Sequence, residues 1–181
     1  MKRALRNMAL IVAVVYPMTG SAKDFNDKPY AAGVRACADG GGVNFRYYGS
    51  KMVSVEGQLN VSAGRPGGLP SSSGKSTTGV ALVQLHGDLL GPQIRFFIGV
   101  GAHYGSWVRY KDVSKSEGLF GFDGIAGIEY MTGRYPLGIS LDIKPAFNYV
   151  SGVTYFPNNI VGLGVRYYFG KWPKRSGNEK E

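Results

Sequence analysis

Apolar and polar side chains alternate with a period of two along most of the chain. In residues 93–107, Ile94, Phe96, Ile98, Val100, Ala102 and Tyr104 share one face, and Arg95, Phe97, Gly99, Gly101, His103 and Gly105 share the other. A period of two marks a strand, because successive side chains point to opposite faces of a pleated backbone. This segment is about as long as a tilted strand needs to cross a membrane. Residues 161–169 repeat the pattern, with Val161, Leu163, Val165, Tyr167 and Phe169 opposed by Gly162, Gly164, Arg166 and Tyr168. Six more segments read the same way: residues 30–37, 43–48, 52–61, 78–86, 120–130 and 137–144. The helical period of 3.6 is almost absent. The pattern therefore predicts an all-β chain of eight strands.

The spacing between segments alternates as well. Short connections follow the second strand (49–51), the fourth (87–92) and the sixth (132–136). Longer or Gly-rich ones follow the first (38–42), third (62–77), fifth (108–118) and seventh (151–159). Tight turns at one end and longer loops at the other describe an up-and-down antiparallel barrel of the bacterial outer-membrane type, its tight end periplasmic.

Residues 1–22 stand apart from this pattern. Lys2, Arg3 and Arg6 precede an unbroken apolar run from Met8 to Tyr16, and Gly20-Ser21-Ala22 closes it with small residues. This is the order of a cleaved secretory signal, whose apolar core is too short to span a membrane. The expected organisation is a signal peptide at 1–22, a barrel at 28–169 and a short periplasmic tail at 170–181. Removing the signal takes three of the 21 basic residues and none of the 12 acidic ones, which leaves a net charge of +6. An exported basic protein meets anionic lipid or polysaccharide, not nucleic acid. Cys37 is the only cysteine, so no internal disulfide forms.

Alternation alone does not say which face is inside. A soluble barrel buries its apolar face, whereas a membrane barrel turns that face to lipid and encloses the polar one. The polar face carries Arg35, Arg46, Arg95, Lys144 and Arg166 against Glu56, Asp123, Glu129 and Asp142. Near balance suits a narrow lumen, where an unpaired desolvated charge is costly. The expectation is therefore a buried network of these nine residues, joined by His103. Gly99, Gly101, Gly105 and Gly127 on the same face leave room for long neighbours. Tyr30, Tyr104, Trp107, Tyr130, Tyr149, Tyr167 and Phe169 near segment ends read as an interfacial aromatic girdle.

On these features the sequence resembles the small OmpA/OmpX-type outer-membrane barrels. The stretches Gly121-Phe-Asp-Gly-Ile-Ala-Gly-Ile-Glu-Tyr130 and Pro136-Leu-Gly-Ile-Ser-Leu-Asp-Ile-Lys-Pro145 are similar to outer-membrane β-barrel proteins typical of Bacteroidetes. The resemblance implies a monomer placed in the outer membrane by the barrel-insertion machinery. In such barrels an aromatic residue at the end of the last strand commonly ends the chain. Here twelve residues follow Phe169, so that signal would be read internally.

Chemical motifs are few. Gly68-Leu-Pro-Ser-Ser-Ser-Gly-Lys-Ser76 has five residues between its glycines where a phosphate-binding loop needs four, and reads as an exterior loop. His103 and Ser106 invite a hydrolase reading, but their parity sets them on opposite faces, where no nucleophile–base bond forms. Two His and one Cys suggest no metal site, and no cofactor is expected. Trp107, Arg109, Tyr110 and Lys111 give one loop a basic and aromatic character suited to lipopolysaccharide phosphates or another external ligand. The reading is a non-enzymatic outer-membrane protein with a structural or surface-interaction role. The alternative is a lipid-modifying hydrolase of the deacylase or phospholipase type. Passive transport is disfavoured, because side chains fill a barrel of eight strands.

Overall fold

A strand that crosses lipid must pair on both edges, since an unpaired backbone donor there costs several kcal/mol. The computed structural model, which describes residues 28–38, 40–64, 74–90, 93–109, 112–132, 135–150, 153–155 and 161–170, meets that demand by closing a barrel. The segments are β1 (Tyr30–Cys37), β2 (Gly40–Tyr48), β3 (Val53–Gly64), β4 (Gly74–Asp88), β5 (Ile94–Arg109), β6 (Asp112–Met131), β7 (Leu137–Ile143), β8 (Ala146–Val150), β9 (Val153–Tyr155) and β10 (Val161–Phe169). Neighbours β1 to β6 pair in sequence, β7 joins β6 to β10, and β10 returns to β1. Every pairing is antiparallel.

Ten segments fill eight barrel positions. Both β7 and β8 lie along β6, the first against residues 126–131 and the second against residues 119–123. Lys144 and Pro145 interrupt them, and the Pro145 carbonyl accepts the Gly124 N–H at 2.9 Å. Proline has no N–H to give a ladder, so the strand breaks there and resumes. The seventh strand, expected to stop at Lys144, thus continues through β8, and the short β9 pairs with β8.

Three tight connections gather at one end. Gly49 N–H bonds the Val53 carbonyl (3.0 Å), Leu89 N–H the Ile94 carbonyl (2.8 Å) and Thr132 N–H the Leu137 carbonyl (2.8 Å). The opposite end differs from expectation at each anticipated loop: residues 62–64 and 74–77 are paired strand within the loop expected at 62–77, and β9 lies within the one expected at 151–159. The anticipated loop at 38–42 is a tight hairpin, with Cys37 already opposite Gly40. The anticipated loop at 108–118 is mostly strand, and Arg109 faces Asp112 after a register shift at Val108. There β5 and β6 reach 16 and 20 residues, well beyond the roughly 10 that cross a membrane. Backbone pairing extends them past the apolar belt, where side chains no longer alternate in polarity.

The burial pattern is that of a transmembrane barrel. Phe96, Ile98, Val100 and Tyr104 are exposed, Tyr104 at 73%, while Arg46, Glu56, Gln84 and Arg166 have no exposed surface. Outward rings cluster around the closing seam near the tight end, with Tyr30 5.4 Å from Tyr47 and 5.8 Å from Phe169. Such rings suit the edge of the hydrocarbon layer. Trp107 is not among them. It is 1% exposed on the inward face of β5, beside Gly74 of β4, where an added Cβ would lie 2.6 Å from its indole nitrogen. Parity explains the difference, because Trp107 follows Arg95, Phe97 and His103 around the inner face. The expected signal peptide at 1–22 and the expected periplasmic tail after Gly170 lie outside the described residues.

Candidate functional site

The inner face of the barrel carries most of the charged side chains described within the strands. Its centre is a ring of four groups from four strands. Arg46 of β2 stands directly opposite Glu56 of β3, and its Nε donates to Glu56 Oε2 at 2.6 Å. Arg46 Nη1 donates to Glu129 Oε2 at 3.2 Å, and Arg166 Nη1 to Glu129 Oε1 at 3.1 Å. Arg166 Nη2 lies 3.5 Å from Glu56 Oε1, which closes the ring. Each carboxylate therefore bridges both guanidinium groups, so two positive and two negative charges neutralise one another.

Neutral groups complete the ring. Gln58 and Gln84 donate to Glu56 at 2.7 and 3.2 Å, Arg166 donates to Ser140 Oγ at 2.9 Å, and Arg46 donates to Tyr48 Oη at 3.0 Å. The Phe97 ring lies 5.2 Å from the Arg46 guanidinium and 5.9 Å from that of Arg166. An aromatic face attracts a desolvated cation, so Phe97 belongs to the polar cluster despite being apolar.

Two further groups lie on the side away from the tight turns. Arg35 of β1 reaches past β10 to Asp142 of β7, with Nη2–Oδ1 at 2.6 Å and Nε–Oδ1 at 3.0 Å. His103 Nδ1 lies 2.6 Å from Asp123 Oδ2. Lys144 Nζ spans the lumen, 3.8 Å from Asp123 Oδ1 and donating to Gln58 Oε1 at 3.1 Å. The structure thus brings Arg35, Arg46, Glu56, His103, Asp123, Glu129, Asp142, Lys144 and Arg166 into three adjoining clusters.

Arg95 belongs to none of them. It faces Glu129 across the β5–β6 ladder, yet its guanidinium donates to the Lys51 carbonyl at 2.6 Å and lies 3.4 Å from Asp88 Oδ1. The tight turns supply these acceptors, and Glu129 is already bridged by two arginines. Ser54 Oγ and His86 Nε2 lie 2.7 Å apart nearby, both buried. That pair has the spacing of a nucleophile and base, but Ser54 has no exposed surface. His103 is inside the barrel, as its parity indicated, while Ser106 is on the opposite face of β5. Of the basic and aromatic loop, Trp107 lies inside, Arg109 closes β5, and Tyr110 and Lys111 fall outside the described residues.

Neither a family model nor a curated protein matches this chain. Solved structures do. The N-terminal β-barrel domain of Pseudomonas aeruginosa OprF matches with a TM-score of 0.56 at 15% identity, over 77% of this chain and 96% of that one. Neisserial surface protein A matches with a TM-score of 0.51 at 16% identity, over 77% and 94%. The outer-membrane protein Ail of Yersinia pestis aligns over 78% and 99% at 15% identity, with a TM-score of 0.43. The first two likenesses establish the fold as that of a small outer-membrane barrel.

Proposed function

We propose that this protein is a non-enzymatic barrel of a bacterial outer membrane, which acts through the strand ends opposite its tight turns by contacting lipopolysaccharide. The observation that carries the reading is the closed inner ring. Arg46, Glu56, Glu129 and Arg166 are at most 1% exposed and spend their charges on one another. Such a lumen favours rigidity over transport, and shifts the working surface to the exterior.

Support comes from the long β4–β5–β6 wall, which projects past the apolar belt; β5 ends at the basic Arg109, and Lys111 follows it in the sequence. Cations at a membrane surface attract anionic headgroups by about 1 kcal/mol each. The hydrolase alternative would need Ser54 and His86 to meet a lipid, and both are enclosed.

The test is capture of lipopolysaccharide vesicles by the refolded full chain, beside an Arg109→Glu/Lys111→Glu variant. Weaker capture by the variant, with the difference shrinking as salt is raised, supports the reading. Equal capture, or lipid hydrolysis by wild type that His86→Ala abolishes, overturns it.

A further inference from the structure

The lipid-facing wall of β3, β4 and β5 is indented. Gly57, Ala81 and Ala102 stand side by side in register, and Gly79 is the next outward residue along β4. Neighbouring outward positions carry Phe45, Leu59 and Tyr104, so the small residues floor a depression of about 670 Å³. A second depression, of about 590 Å³, adjoins it at Ala102 and reaches Gly124 and Pro145. A Cβ placed on Gly57 would meet no atom within 4 Å, so no neighbouring side chain of the barrel fills the space.

One charged group overlooks this groove. Lys75 is exposed on the outward face of β4 and is the one charged side chain that the described residues place on the outer wall of β3 to β6. It lies four residues beyond Gly79, roughly 13 Å along the strand. Tilt reduces this to about 10 Å of height, within reach of a headgroup layer for a side chain that extends its ammonium along the wall. Thr77 lies between them on β4, and Tyr104 and Ser106 stand opposite Gly79 and Thr77 on β5. The sequence of surfaces is therefore an apolar trough, then hydroxyl groups, then an ammonium.

We propose that this groove retains one phosphate-bearing glycolipid of the outer leaflet, with an acyl chain against Gly57, Ala81 and Ala102 and a phosphate at Lys75. The charge of Lys75 selects this occupant, because a neutral lipid would gain nothing there. The proposal rests on the outer-membrane reading but uses a different surface from Arg109 and Lys111.

The experiment is native mass spectrometry of the full chain, refolded in detergent and titrated with lipid A. Wild type is expected to keep one lipid A after the detergent is stripped. Lys75→Glu should lower occupancy by about five-fold, the factor of one contact worth about 1 kcal/mol at a surface. Ala81→Phe should lower it at least as far, and Ala102→Leu serves if Ala81→Phe does not fold. Val165→Phe, outward on β10 across the barrel from β4, should bind as wild type. Dephosphorylated lipid A should not distinguish wild type from Lys75→Glu. Wild-type occupancy in both Lys75→Glu and the groove variant would overturn the proposal. Loss in these two with full binding by Arg109→Glu/Lys111→Glu would uphold the groove while refuting the strand-end contact.

Discussion

Gly162 and Arg35 occupy one space: a Cβ on the glycine would overlap the guanidinium that crosses β10 to reach Asp142. In the ladder Arg35 stands opposite Gly164, and Asp142 opposite Gly162 on the other side of the same strand. The missing side chain is thus what lets two strands that are not neighbours exchange a buried ion pair.

Gly162→Val should therefore cost about 3 kcal/mol or more, since it overpacks the lumen and displaces one partner of a buried pair. In an Arg35→Ala/Asp142→Ala background the same change should cost less than about 1 kcal/mol, because its clash partner is gone. Urea unfolding in lipid vesicles measures both. Equal costs in the two backgrounds would show that Gly162 is required for another reason.

The central ring should behave as a unit. Arg46→Ala leaves Glu56 and Glu129 sharing one cation, and should cost about 3–5 kcal/mol. Arg46→Met/Glu56→Leu removes a neutral pair and should cost less than Arg46→Ala, not more. Additive costs in the double-mutant cycle would mean that water reaches these charges and that the lumen is open.

Trp107 offers an optical check on which face of β5 is enclosed. In a Trp172→Phe variant it is the sole tryptophan, and its emission should be blue-shifted and shielded from aqueous iodide. Brominated lipid tails should also fail to quench it, because the barrel wall separates it from lipid. Strong quenching by such lipids would return Trp107 to the girdle.

The amount legible in the sequence follows from how many environments a segment meets. Residues 94–104 lie wholly within the belt, with lipid on one side and lumen on the other, so polarity alternates without a break. Residues 116–118 and 74–77 are paired by backbone beyond the belt, where Lys75, Ser76 and Ser116 gain nothing from apolar neighbours. Nothing in their side chains announces a strand. The membership of the inner face follows from parity for the charged residues, whereas Trp107, placed in the girdle by its position near a segment end, is inward by the same parity. Partner identity does not, because it depends on register and on crossings such as Arg35 over Gly162. Arg95 illustrates the same point: its acceptors are a turn carbonyl and Asp88, set by the fold of tight connections.

The central claim is that the apolar face points to lipid and the charged face inward. Single cysteines placed at Ile98 and at Phe97, in a Cys37→Ser background, test it with a maleimide confined to the hydrocarbon layer. Ile98 is 54% exposed and Phe97 is 1% exposed on opposite faces of β5. The structure predicts rapid labelling at position 98 and none at 97 in the folded, vesicle-embedded protein. Labelling at 97 with protection at 98 would invert the barrel and make it a soluble one with an apolar core.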